Sequence, residues 1–142
     1  MDVLQKSHRW LRPGGLLLDV HPEPEKPTVA SVRTNRVVSL GHIDTSSTIG
    51  NIHNARAALQ SMVEQHLFEN ERSLVFDFVS HFASVDEWLR HREARRSTSI
   101  VDPALIDTAR EVLRAEPGSE LLVGERELAT RFRRSDPVAL HI

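Results

Sequence analysis

The stretch from Trp10 to His21 constrains the fold more than any other part of the chain. Its sequence, WLRPGGLLLDVH, holds a proline, two adjacent glycines and a nearly continuous apolar run over residues 16–20. Proline disfavours helix in the residue before it, so a preceding helix is expected to end there. Gly14 and Gly15 permit the positive φ of a tight reversal. The run that follows is broken only by Asp19, which predicts a short strand covered on both faces, as in a parallel α/β sheet.

The other segments predict a mixture of helices and strands. We expect helices over residues 2–11 and 49–68, and two more that begin near Ser84 and Asp102, where capping signals stand. Strands are expected over residues 16–20, 28–32, 36–43, 72–82 and 120–134, the last being one bent strand or a hairpin interrupted near Gly124. The second and third strands would form a hairpin whose turn uses a left-handed Asn35.

Composition narrows the function classes. The length of 142 residues suits one domain, and a net charge of −2 argues against a general nucleic-acid surface. The chain has no cysteine, which excludes disulfides, thiolate metal sites and cysteine nucleophiles. No apolar run is long enough to cross a bilayer and no signal-peptide pattern is present, so a cytoplasmic location without a membrane partner is the default expectation.

The helix, the Arg-Pro-Gly-Gly turn and the apolar strand together resemble one segment of class I S-adenosylmethionine-dependent methyltransferases. In that family the segment holds the helix before the fifth sheet strand and the strand itself. The later predicted elements fit the places that follow, with residues 49–68 as the next helix, 72–82 as strand six and 120–134 as strand seven. The phrase FASVDEWL, residues 82–89, also looks like the stretch after the sixth strand.

This resemblance covers most of the chain but only the carboxyl-terminal half of the family fold. It implies an α/β fold of α+β-like character: a partial Rossmann-like methyltransferase sheet of mixed strands, with helices packed on it. The whole chain, residues 1–142, would be a single domain of this kind. The 28–43 hairpin would be an insertion after strand five.

The family holds its cofactor with a glycine-rich loop after strand one and an acidic residue after strand two. No strand, glycine loop and helix precede Asp2 in this sequence, and no two of the glycines form a G-x-G pattern. The glycines stand at Gly14, Gly15, Gly41, Gly50, Gly118 and Gly124. We therefore assign no cofactor-binding residue and expect the isolated chain not to bind S-adenosylmethionine, unless a partner completes the site.

Histidines and acids near the predicted strand ends form a candidate ligand pocket. Its members are Asp19, His21, His42, Asp44 and His53. If they converged, they could form a small metal or acid–base site, since ligands of open α/β sheets sit beyond strand ends. The favoured interpretation is that they are solvated or bonded to one another, because no H-x-x-x-H or H-E-x-x-H spacing supports a metal.

Two further side-chain groups have a functional and a structural interpretation. Asp77 and His81 share a strand face. They could act as a base and its orienting group, but the favoured interpretation is that this face is partly exposed to solvent. The arginines that follow could bind phosphate or an acidic partner, but they are expected to point outward from a solvated helix face. They are Arg90, Arg92, Arg95 and Arg96.

The missing first half of the sheet would leave one edge of the 16–20 strand unpaired. Either the 28–43 hairpin folds back over this edge or another chain covers it, and we expect a homodimer or a partner chain there. The leading hypothesis is a non-catalytic methyltransferase-like interaction or ligand-binding module that self-associates. One alternative is the carboxyl-terminal part of an active methyltransferase completed by another chain or by upstream sequence; another is a small histidine-based metal-dependent enzyme.

Overall fold

The computed structural model describes residues 3–136, which contain four helices and five strands. The helices are α1 (Val3–Trp10), α2 (Ser46–Glu64), α3 (Val85–Ala94) and α4 (Pro103–Ala115). The strands are β1 (Leu16–Pro22), β2 (Thr28–Arg33), β3 (Arg36–His42), β4 (Phe68–Phe82) and β5 (Glu120–Arg134). The arrangement is of the α+β kind, with an antiparallel sheet and separate helices.

Strand β5 is the common partner in this sheet. It pairs antiparallel with β1 through residues 127–133 and with β2 through residues 120–124, and it also pairs with β4. Strand β3 is attached through β2 alone. The expected mixed sheet is therefore wrong for the part of the chain described, where the pairing is antiparallel. The reason is that β1 and β4 run in the same direction but are separated by β5, so they form no parallel pair.

Contacts group the chain into two compact units, which we call unit 1 and unit 2. Unit 1 contains residues 3–22, 51–76 and 127–136 of the described range. Its core joins α2 to β4 and β5 through four buried side chains: Leu59, Met62, Phe68 and Phe132. Leu4 and Leu11, from α1 and the residue after it, pack against this cluster together with Leu17 of β1. These contacts place α1 and α2 against one face of β1.

Unit 2 contains residues 23–50 and 77–126. Trp88 of α3, Leu105 and Ala109 of α4, and residues of β2 and β5 form its core. The buried members are Val29, Ile43, Phe82, Val85, Trp88, Leu105, Ala109, Leu121 and Val123. Burying this much apolar surface is the main favourable contribution to folding of the unit.

Both helices of unit 2 begin at the caps that the sequence predicts. Ser84 Oγ accepts a hydrogen bond from the Glu87 amide at 3.1 Å, and the Glu87 carboxylate reaches back to the Ala83 amide at 2.7 Å. Asp102 Oδ1 accepts from the Ala104 amide at 2.8 Å, with Pro103 at the first helical position. Each cap thereby satisfies one of the amides that a helix start leaves without an intrahelical partner.

The Pro-Gly-Gly turn needs both of its glycines, for different reasons. Gly14 has φ +74°, which favours glycine. Gly15 has no such φ, but a Cβ there would lie 2.8 Å from the Arg12 carbonyl oxygen. The expectation of a positive φ is thus correct for Gly14. At Gly15 the lack of a Cβ instead lets the Arg12 carbonyl approach the backbone closely.

Several element boundaries differ from those expected, and α2 ends at Glu64 rather than Phe68. Helix α2 begins at Ser46 rather than Ile49, and β4 begins at Phe68, four residues earlier than predicted. The turn between them lies at 65–67, where His66 has φ +58°. The polar residues 69–71, which suggested a turn, belong to β4. Neither glycine nor proline marks the true turn, so the sequence carries no strong signal for it.

The β2–β3 hairpin forms as predicted, but its left-handed residue is Thr34, at φ +56°, and not Asn35. A β-branched side chain in this region is strained, because Cβ approaches the backbone. Thr34 is exposed, so no packing compensates for the strain.

We predict that Thr34→Gly raises the free energy of unfolding by about 0.5–1 kcal/mol. Relief of left-handed strain is worth about 1–2 kcal/mol, and the extra freedom of glycine in the unfolded chain offsets part of it. Urea denaturation followed by circular dichroism measures the change. Asn35→Gly is the matched control and gains nothing, because Asn35 has no positive φ to relieve. Equal stabilisation by both substitutions would contradict the explanation.

Candidate functional site

Strand β1 is covered on one face only. Its exposure alternates, with Leu16, Leu18 and Val20 at 50%, 67% and 51% of their accessible surface, and Leu17, Asp19 and His21 partly buried. The expectation that this strand is covered on both faces is wrong for the described residues. A run of apolar side chains shows that both faces favour burial, but here the helices contact one of them.

The outer edge of β1 is also open. Among the described strands β1 pairs with β5 and with no other, so the 28–43 hairpin, which joins the sheet through β2, does not cover it. The Arg134 amide donates to the Gly15 carbonyl at 2.8 Å, and the Glu23 amide donates to the Arg126 carbonyl at 2.7 Å.

In an antiparallel pair, residues whose amide and carbonyl bond the partner strand alternate with residues whose amide and carbonyl point away from it. The bonds at Gly15 and Glu23 therefore fix the direction of the backbone groups of every residue between them. Residues 17, 19 and 21 turn their amides and carbonyls toward β5. The backbone groups of Leu16, Leu18 and Val20 therefore point to the open edge. The residues with exposed apolar side chains are thus the ones whose backbone groups can bond another strand.

Beside this face, a carboxylate is held between two arginines. Arg133 and Arg131 of β5 stand opposite Leu16 and Leu18 in register. Glu71 of β4 forms ion pairs with both, at 2.8 Å from Oε2 to Arg131 Nε and through Oε1 with Arg133. The hydrogen bond from Arg133 lowers the pKa of Glu71; burial opposes this, and the charges of both arginines add to it.

On the covered face, Asp19, His21 and Arg56 form a network. The Asp19 carboxylate lies 2.6 Å from His21 Nδ1, and Arg56 Nε donates to His21 Nε2 at 2.9 Å. The guanidinium is always a donor, so Nε2 must be the acceptor and Nδ1 must carry the proton. Both ring nitrogens are thereby engaged inside unit 1. This agrees with the favoured interpretation that the strand-end groups bond to one another.

The other members of the predicted pocket are described by their own surroundings. Asp44 of unit 2 caps α2, because its carboxylate accepts a hydrogen bond from the Ser46 amide at 2.9 Å. Hydrogen bonds from Ser46 lower the pKa of Asp44, with the side chain of Ser46 contributing more than its backbone. His42 ends β3 and His53 lies on α2, both exposed. Within residues 3–136 no group of three histidine or acidic side chains could hold a metal ion.

The second predicted pair is divided between two contacts of unit 2, an ion pair of Asp77 and a hydrogen bond of His81. Asp77 faces Arg126 at 3.6 Å and His81 faces Glu120 at 3.2 Å, and both members of the pair are exposed. Their partners lie on β5, so these contacts hold β4 to β5 at the sheet surface. Asp77 and His81 each use a partner on β5, so neither of the two orients the other.

Sequence reasoning missed two arginines that have structural roles. Arg56 lies one helical turn from the buried Ile52 and Leu59, so a charge on the apolar face of α2 was the available signal. Arg92, expected to point outward, donates to the Ser99 hydroxyl at 3.0 Å and lies 5.8 Å from the Trp88 ring centroid. Its guanidinium lies over the ring of the core tryptophan and also fastens the loop after α3.

Comparisons with protein-family models, with curated proteins and with solved structures find no match to this chain. Among the described residues no helix is both long and apolar enough to cross a membrane. The geometry of β1 and its surroundings is therefore the basis for inferring a function.

We predict that nitrogen-detected NMR shows His21 as the Nδ1-protonated tautomer at neutral pH. Asp19→Ala removes the acceptor and lowers the free energy of unfolding by about 1 kcal/mol, whereas Asp19→Asn keeps an acceptor oxygen and costs less. His53→Ala, at an exposed site on the neighbouring helix, is the control and has little effect. An Nε2-protonated His21 would contradict the network.

We predict that Glu71→Gln weakens the acid sensitivity of folding. The pKa of Glu71 is lowered in the folded chain, so its carboxylate stabilises the fold above the unfolded pKa of about 4.3, and this contribution is lost as pH falls through the folded value. Stability curves between pH 7 and pH 3 should therefore be flatter for the variant. Glu93→Gln on the exposed surface of α3 is the control and should follow the parent curve.

Proposed function

We propose that this chain is a methyltransferase-like interaction module that self-associates through β1 and does not bind S-adenosylmethionine on its own. The observation that carries the proposal is the state of β1, an apolar strand with one bonded edge, one open edge and a face whose three side chains are half or more exposed. Such an edge pairs readily with another strand. A second copy would cover both the backbone groups and the side chains.

The strand order supports the methyltransferase-like part of the proposal. In the resembled family, strand seven lies beside strand five and forms an antiparallel edge with strand six. Here β5 lies between β1 and β4, with α2 in the connection from β1 toward β4, which fits the order five, seven, six. The helix before β1 and the Pro-Gly-Gly turn keep their expected places. The β2–β3 hairpin is an addition to that order.

The network at the end of β1 supports the non-catalytic part. Asp19 and Arg56 each bond to His21, and among residues 3–136 no glycine-rich loop follows a strand in the manner that would cradle a nucleotide. We accordingly infer no cofactor for the isolated chain.

A second candidate is the carboxyl-terminal part of an active methyltransferase, completed by another polypeptide. It is favoured by the same strand order together with the bare outer face of β1, since α/β sheets have helices on both faces. The completing half would supply the glycine-rich loop and cover Leu16, Leu18 and Val20. The open edge and the exposed apolar face of β1 would then be covered by a different polypeptide and not by a second copy.

We predict that the purified chain has a solution mass of twice 16.1 kDa by light scattering. Leu18→Lys places a charge on the exposed face of β1 and shifts the chain to monomer at the same concentration. Val37→Lys is the matched control, because Val37 is similarly exposed, at 59%, but lies on β3, and it leaves the mass unchanged.

The same preparation tests cofactor binding by titration calorimetry with S-adenosylmethionine. We expect no heat of binding. A saturable 1:1 heat would overturn the non-catalytic proposal, and a monomer at every concentration up to that used for calorimetry would overturn self-association.

A further inference from the structure

We infer that two copies of the chain pair antiparallel along β1, with Leu18 on the two-fold axis and Leu16 opposite Val20 of the second copy. This deepens the proposed function and rests on its claim of self-association. It assigns the surface, the partner and the register from the backbone pattern of β1.

The choice of β1 follows from a comparison of the open edges. Strands β3 and β4 each pair on one side only in the described sheet. Strand β3 begins with Arg36 and ends with His42, and β4 carries charged or titratable side chains along its length, namely Glu69, Glu71, Arg72, Asp77 and His81. Strand β4 also exposes apolar side chains, among them Leu74 at 56% and Phe78 at 51%, but charges on an edge oppose pairing with another sheet. In β1 the titratable side chains, Asp19 and His21, lie on the covered face and bond to each other.

The backbone determines which registers are possible. Leu16, Leu18 and Val20 present their amides and carbonyls outward, so hydrogen-bonded pairs in a dimer must join these residues. Pairing Leu18 with itself also pairs Leu16 with Val20, and every exposed apolar side chain then meets another across the axis. Burial of apolar surface and formation of backbone bonds coincide in this register.

Registers shifted toward the carboxyl end of β1 are less favourable. A shift that centres the axis on Asp19 sets two carboxylates opposite each other, which destabilises an antiparallel pair. Centring on Val20 pairs Leu18 with Pro22, which has no amide to donate. The register centred on Leu18 has neither defect.

Charge complementarity at the ends of the strand also fits two copies. Antiparallel pairing about Leu18 brings the start of one β1, where the exposed Arg12 stands, to the end of the other. Glu23 and Glu25 follow β1 directly in the chain. Each end of the paired strands therefore places a cation of one copy near carboxylates of the other, twice over by the two-fold symmetry. Glu25 already pairs with Arg126 of its own copy at 3.5 Å, so Arg12 would join this ion pair.

Single-cysteine variants test the register without background, because the chain has no cysteine. Leu18→Cys, Leu16→Cys and Val20→Cys are each treated with a short thiol-specific bifunctional reagent, and covalent dimer is measured by denaturing electrophoresis. Opposed residues in a hydrogen-bonded pair have Cα atoms about 5.5 Å apart, within the reagent's reach. Light scattering of the same samples records whether each variant still self-associates.

Covalent dimer is expected from Leu18→Cys alone and from a mixture of Leu16→Cys with Val20→Cys. Its yield in each of those two variants alone should be at least about fivefold lower, because the like residues then lie four positions apart along the axis at about 3.4 Å per residue.

Two other outcomes would contradict the inference in different ways. A dimeric protein that cross-links at Val37→Cys or Phe78→Cys and not at Leu18→Cys would overturn the register while leaving self-association intact. A monomer that forms no covalent dimer in any variant would overturn both the register and the proposed self-association.

Discussion

Backbone hydrogen bonding along β5 is the interaction on which the remaining structure depends. Three other strands use β5 as a partner, and only β3 among the described strands is attached without it. The same strand supplies buried side chains to each unit, Leu121 and Val123 to unit 2 and Phe132 to unit 1. Its alternation of inward and outward residues therefore determines where both cores form. Without β5, β1 would have no bonded edge, and the hairpin would have no sheet to join.

The sequence predicts the existence of the elements better than their environment. The capping residues Ser84 and Asp102 act locally, through bonds to amides two or three positions away, so they could be identified without knowing the fold. Which face of β1 is buried depends on the helices that pack against it, and the sequence of the strand does not determine which helices do so. Leu16 and Leu17 are identical side chains, yet one is half exposed and the other packs on the core.

The candidate site shows the same division between local and distant information. Asp19 and His21 are two positions apart on a strand, so their shared face follows from the strand period and is correct. Arg56 joins them from 35 positions further along the chain, and only the packing of α2 reveals it. His42 and Asp44 likewise share a strand-end pattern, but Asp44 uses its carboxylate to begin a helix. Residue type and spacing indicated possible ligands, whereas the competing structural uses of these groups became visible in the fold.

The chain order of the sheet has a consequence for how the molecule is made. Leu16 pairs with Arg133, and Pro22 with Glu127, so β1 emerges during synthesis well before its partner β5. Such distant pairing slows folding, because a long loop must close before the bonds between strands can form. Until then β1 is an apolar segment with two unbonded edges, and binding by a chaperone during this interval would limit aggregation on the ribosome.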